Sequence, residues 1–216
     1  MAGLVVTIAQ RKGGAGKTTL AAQLAVAWAR QGARVAALDI DPQASLAAWV
    51  DLRRARLGAA SVGFEFAALP GWRAAQWIED RARLTDVVAI DCPPHAETEA
   101  QIAVRAAGLV LIPVQPSPLD LWATTATLKM AHDERRRALV VLSRVPPRSG
   151  LTDQIAAGLA ESGAAIAPTR IGNRVALVRA MTLGLGVTES AGASPAAAEI
   201  AALADEVLAS ELGRRR

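Results

Sequence analysis

The stretch Gln10-Arg11-Lys12-Gly13-Gly14-Ala15-Gly16-Lys17-Thr18-Thr19 leaves this chain few folds to choose from. It follows an apolar run, Leu4-Val5-Val6-Thr7-Ile8-Ala9, with the character of a buried strand. It precedes Leu20 to Arg30, which reads as a helix. A glycine-rich turn between strand and helix is the setting in which a backbone wraps phosphate. Glycines let N–H groups turn inward, and the helix N-terminus adds partial positive charge. Gly13, Gly14, Ala15, Gly16, Lys17, Thr18 and Thr19 are therefore the candidate phosphate contacts. Lys17 is placed to reach the β- and γ-phosphates of a nucleotide, and the Thr18 hydroxyl to ligate Mg²⁺. The alternative, a strand-to-helix turn that binds nothing, leaves the order Gly-Lys-Thr-Thr without a reason.

The loop departs from the general form G-x-x-x-x-G-K-[ST], which wants glycine where this chain has Arg11. A second lysine, Lys12, stands before the glycine pair instead. Of the 24 basic residues all but three are arginine, and two of the three lysines sit five positions apart in this loop. A compact ammonium on a flexible stem fits between phosphates better than a planar fork does. Lys12-Gly13-Gly14-Ala15-Gly16-Lys17-Thr18-Thr19 resembles the deviant Walker A motif of the ParA/MinD ATPases, nearest to the small, ParF-like partition proteins. The resemblance implies that Lys12 crosses a dimer interface and contacts the nucleotide of the other subunit.

A length of 216 residues suits one P-loop domain over 1–216. With 52% apolar but only 3% aromatic residues, its core must be built from Ala, Val, Leu and Ile. No apolar run approaches the roughly 20 residues that span a bilayer. Met1-Ala2-Gly3 passes straight into the first strand without a leader pattern, so a cytoplasmic protein is expected. The single cysteine, Cys92, excludes an intrachain disulfide and a four-cysteine metal site, and with them an iron–sulfur electron carrier that needs two ligands per subunit. A net charge of +4 permits nucleic-acid binding without requiring it.

Strands are expected over 34–40, 62–66, 86–91, 108–113 and 138–142, with a short one at 164–167. Helices are expected over 44–56, 72–83, 97–107, 119–132, 152–161, 174–182 and 195–212. Apolar strands alternating with helices predict a doubly wound, mostly parallel α/β sheet with helices on both faces, the layer sandwich of P-loop NTPases. The loops at 10–19, 39–43, 91–95 and 113–118 all leave from the carboxyl ends of strands, where ligands bind in such sheets.

Asp91 ends an apolar strand in the Walker B arrangement, which places a carboxylate near a Mg²⁺ held by Thr18, acting through a bound water. Asp39-Ile40-Asp41-Pro42-Gln43 resembles the family's D-x-D-P-Q switch motif. By that resemblance Asp41 orients or activates the attacking water and Asp39 supports the metal, a division that could be reversed. The bland reading is a strand-end turn leading into a helix. Pro113-Val114-Gln115-Pro116-Ser117-Pro118-Leu119-Asp120 must be a rigid turn. It resembles a family loop beside nucleotide and subunit interface, and reads equally as a strand-to-helix connection with Asp120 near the cap. Ile171-Gly172-Asn173-Arg174 resembles the segment that the family places by the adenine base, which makes Asn173 a candidate nucleotide contact.

Cys92 reads as a packed thiol, and His95 and His132 have no partner at metal-ligand spacing. The five tryptophans are expected to pack within helices. Basic residues cluster at Arg53-Arg54-Arg56, Arg135-Arg136-Arg137, Arg170 with Arg174 and Arg179, and Arg214-Arg215-Arg216. Arg170, Arg174 and Arg179 are the favoured DNA contacts by resemblance, and solvated helix faces are the alternative. A membrane anchor in the last helix is disfavoured. Its polar face carries Glu199, Asp205, Glu206 and Glu211, whereas Ile200, Leu203, Val207 and Leu208 suit docking on the sheet.

The resemblance implies an Mg²⁺-dependent ATPase that forms an ATP-bound homodimer and binds DNA without sequence preference. It would associate with the nucleoid in that state, and hydrolyse ATP to position a plasmid, chromosome region or protein cargo. A ParB-like adaptor or centromere-binding protein is the implied partner. Two other readings stay open, a MinD-like membrane-cycling regulator and a dethiobiotin-synthetase-like ligase.

Overall fold

The computed structural model describes residues 2–94, 97–147 and 150–212. Strands β1 (Leu4–Ile8), β2 (Val35–Asp39), β3 (Glu65–Ala68), β4 (Val87–Asp91), β5 (Leu109–Val114) and β6 (Arg137–Leu142) form one sheet in the order β3-β2-β4-β1-β5-β6. Every pairing among them is parallel. The helices are α1 (Lys17–Arg30), α2 (Ser45–Leu57), α3 (Gly71–Leu84), α4 (Glu97–Ala106), α5 (Pro118–Asp133), α6 (Gly150–Glu161), α7 (Val175–Thr182), α8 (Val187–Ser190) and α9 (Pro195–Leu212). This is the expected doubly wound layer sandwich.

Strand alternation feeds two apolar clusters. Leu4, Val6 and Ile8 join α1, α7 and α9 on one face, whereas Val5, Val88 and Ile90 join α3, α4 and α6 on the other. Helix α1 is enclosed along most of its length, because Ala21, Ala22, Ala25 and Ala27 let neighbouring elements approach closely. Its fully buried Trp28 donates the indole N–H to the Ala204 carbonyl of α9 at 3.1 Å. Ile200, Leu203 and Val207 of α9 are buried in the same cluster, where a membrane anchor would need them free. Among the described residues no helix is long and apolar enough to cross a membrane.

Three expectations need correcting. Strand β3 begins at Glu65 instead of residue 62, since Val62 is helical and Gly63 is left-handed at φ +89°. The strand expected at 164–167 reduces to a single bridge between Ile166 and Val140, with Pro168 supplying no N–H to extend it. Only Trp28 and Trp49 are buried, whereas Trp72 and Trp122 are 77% and 71% exposed. Trp72 is the second residue and Trp122 the fifth of helices that leave the carboxyl edge of the sheet.

Register sets up the site. Asp91 pairs across the sheet with Ile8 on one side and with Asp39 on the other. The ends of β1, β2 and β4 therefore stop level, and the glycine-rich loop leaves beside Asp91, with Asp39 one strand further on.

Candidate nucleotide-binding site

Gly14 and Gly16 adopt φ of +74° and +98°, conformations that an L side chain resists. Gly16 caps α1 without any side-chain hydrogen bond, and no acidic residue occupies the first turn. The helix thus presents its N–H groups and partial positive charge to an anion. Carbonyls of the loop are tied elsewhere: Gln115 Nε2 donates to the Gly14 oxygen at 2.8 Å, and Ser143 Oγ to the Ala15 oxygen at 3.3 Å. A carbonyl so engaged is one not turned upon a phosphate. Lys17 is 6% exposed at the head of α1, and burial draws its pKa below the ordinary value against the opposing pull of Asp91.

Thr18 Oγ1 donates to Asp91 Oδ2 at 2.6 Å. Asp91 is fully buried, and its other oxygen, Oδ1, has no hydrogen-bond partner. Burial pushes this carboxyl up to about 7, with the Thr18 hydrogen bond opposing and the Asp39 charge adding to the rise. An orphaned carboxylate oxygen beside a threonine hydroxyl fits Mg²⁺, a hard cation that keeps most of its waters and takes few protein ligands. Among the described residues no group of three or more His, Cys, Asp or Glu could hold a metal by itself.

Asp39 lies in the cluster, but its oxygens already serve the fold. Oδ1 accepts the Asp41 N–H at 2.9 Å and Oδ2 the Ala47 N–H at 3.0 Å. Ala44, the residue preceding α2, has no capping side chain, so β2 supplies the cap from a distance. Burial raises the Asp39 carboxyl, and those two N–H groups oppose the rise. Asp41 is half-buried and accepts the Gln43 N–H at 2.9 Å. Of the pair, Asp41 is the carboxylate with a face toward solvent.

Lys12 is ion-paired with a residue of α5. Its Nζ meets Asp120 Oδ2 at 2.5 Å, and the Asp120 side chain is fully buried. Ser117 caps α5 and also donates its hydroxyl to Asp120, while Asp120 Oδ1 has no partner. Gln10 secures the base of the loop to α5, donating to Thr124 Oγ1 at 3.1 Å and accepting from Thr127 at 3.3 Å.

Beside the loop a cavity of about 240 Å³ opens between Gly16, Leu20 and Asn173 and the α7 residues Leu177, Val178 and Met181. Asn173 is exposed at its edge, where its backbone N–H is fixed to the Val145 carbonyl at 2.9 Å. Arg144 also lines it, in a left-handed conformation at φ +49° that costs an L-residue roughly 1–2 kcal/mol.

The basic clusters are less alike than their spelling. Arg53 is 2% exposed and grips Glu189 with both terminal nitrogens at 2.8 and 2.7 Å, so it belongs to the interior. Arg170 pairs with Asp153 at 2.7 Å and Arg174 with Glu199 at 2.6 Å, whereas exposed Arg179 has no side-chain partner among the described residues. Arg135–Arg137 lie where β6 begins, at the opposite end of the sheet. His95 and Arg214–Arg216 fall outside the described residues. His132 is exposed, and Cys92 is buried with its thiol pushed up by burial, away from reactivity.

Residues 6–187 match the model of the CobQ/CobB/MinD/ParA nucleotide binding domain. The chain is 31% identical over 214 residues to maintenance of carboxysome distribution protein A of Halothiobacillus neapolitanus, covering 95% of this chain and 96% of that one. It is 29% identical over 236 residues to the chromosome-partitioning ATPase Soj of Thermus thermophilus, covering 94% and 95%. The cell division ATPase MinD of Pyrococcus furiosus has the same fold, with a TM-score of 0.80 at 22% identity, over 95% of this chain and 98% of that one.

Proposed function

Since the chain belongs to the CobQ/CobB/MinD/ParA family of nucleotide-binding ATPases, we propose that it is a positioning switch of the ParA kind. In this reading ATP joins two copies face to face, the pair binds DNA without sequence preference, and hydrolysis releases both. The cargo is a plasmid, a chromosome region or a protein assembly, engaged through a ParB-like adaptor or centromere-binding protein. Gly13 to Thr19 hold the phosphates and Lys17 neutralises them. Thr18 and Asp91 would hold Mg²⁺, which would supply charge neutralisation on the phosphates when bound. Asp41 orients the water whose oxygen bonds to the γ-phosphorus as the bond to the ADP oxygen breaks. Asp39 supports that arrangement by fixing the loop.

The observation that carries this reading is the placement of Lys12. A lysine beside two phosphate-binding glycines would be expected over its own nucleotide, yet it is ion-paired with a buried aspartate on α5. To reach a second copy's triphosphate the half-exposed ammonium must leave Asp120, and the γ-phosphate then becomes part of the contact. Hydrolysis removes that attraction and the pair loosens. Lys12→Ala should abolish ATP-dependent dimerisation in light scattering while retaining nucleotide binding; dimerisation at the wild-type level would refute the switch. Lys17→Ala should lose the nucleotide outright.

A further inference from the structure

We propose that the Arg144 guanidinium covers the open face of the nucleotide's base and helps to select an aromatic purine there, an assignment that rests on the nucleotide reading above. Arg144 follows β6 directly, and its neighbour Ser143 is bonded to the Ala15 carbonyl of the phosphate loop. That bond fixes the start of residue 144 against the loop. Arg144 nevertheless takes the left-handed conformation that glycine or asparagine would adopt more cheaply. Strained conformations of this kind cluster at active sites and ligand clamps.

The cavity tells what such a clamp would hold. Leu177, Val178 and Met181 give it an apolar surface that suits a flat ring, and the phosphate loop residues Ala15 and Gly16 line its other end. Two arginines border it. Arg174 is bound to Glu199, so its charge is compensated. Arg144 is exposed and has no side-chain partner among the described residues. A planar, weakly hydrated cation without a carboxylate partner stacks favourably on an aromatic face. With apolar side chains available to the base within the cavity, the guanidinium supplies a cover that the lining otherwise lacks.

The test compares wild type with Arg144→Gly and Arg144→Lys, titrated with ADP and with inorganic tripolyphosphate in the presence of Mg²⁺. Glycine accepts the left-handed backbone, so Arg144→Gly should melt no lower than wild type without ligand. It should bind ADP roughly three- to thirty-fold more weakly while its tripolyphosphate affinity stays unchanged. Arg144→Lys keeps the charge but not the plane, and should not restore ADP affinity. An unchanged ADP affinity in Arg144→Gly, a parallel loss of tripolyphosphate, or full rescue by lysine would each overturn the assignment. Failure of the wild-type chain to bind ADP would instead remove the nucleotide reading itself.

Discussion

Asp91 is enclosed so completely that its charge depends on what stands beside it. Its carboxyl sits near 7 in the folded chain, well above the ordinary carboxylate value of 3.8, because burial disfavours the ion. A group raised in this direction stabilises fully below its unfolded pKa, and that contribution is lost as pH rises through the folded one. The loss accumulates between about pH 4 and 7, at up to about 1.4 kcal/mol per unit. Thermal melts of the ligand-free chain should therefore show Asp91→Asn less sensitive to pH across that window than wild type. Mg²⁺ competes with the same proton, so its stabilisation of the nucleotide-bound wild type should grow from pH 6 to 8, and that growth should be absent in the variant. Lys17, Thr18 and Asp91 were legible in the sequence, since two share a motif and the third ends an apolar strand. Ser143 was not legible as a support of the loop, and Gln115 and Asp120 only as members of a stretch that lies beside the nucleotide by resemblance. They approach it from strand ends about a hundred residues further on, and no local spacing encodes that approach.

At the scale of elements, the segment joining α7 to α8 is gripped from both α1 and α2. Gln23 of α1 donates to the Leu185 carbonyl at 3.2 Å and accepts the Val187 N–H at 2.6 Å. Arg53 of α2 donates to the carbonyls of Val62 and Gly184 as well as to Glu189. Gly184 is required here: at φ +66° it lies so near the Arg53 backbone that a Cβ would come within 2.7 Å of its nitrogen. Burial raises the Glu189 carboxyl, but the Arg53 guanidinium and the Gly186 N–H outweigh it and hold the group below its usual value. Arg53→Ala strands that carboxylate and should cost about 3–5 kcal/mol in urea unfolding. Apolar strands and helix periodicity were readable before the structure, because each element repeats its own pattern. Arg53 stands in the sequence as one of three arginines within four residues of α2, and only packing distinguishes the one that turns inward. Helix α8, four residues long, offers too little periodicity to be recognised.

For the molecule as a whole, charge and exposed rings divide between different regions. Trp72 and Trp122 stand at the nucleotide edge, whereas the positive charge of the late cluster is largely cancelled by Asp153 and Glu199. If ATP-bound pairs hold DNA through this region, Arg179 carries more of the load than Arg170. Arg179→Ala should weaken duplex binding in fluorescence anisotropy and reduce the salt slope by about 2 per dimer. Arg170→Ala should change it little, and equal effects would mean that the ion pair to Asp153 does not persist on DNA.

Strand order also governs how the chain is born. β1 leaves the ribosome first yet lies between β4 and β5, so its nearest partner begins only at Val87. At ordinary elongation speeds that is a wait on the order of ten seconds. Throughout it the leading strand has neither edge paired. Until Asp91 has been made, the glycine loop stands without the aspartate opposite it and the apolar strand without either neighbour.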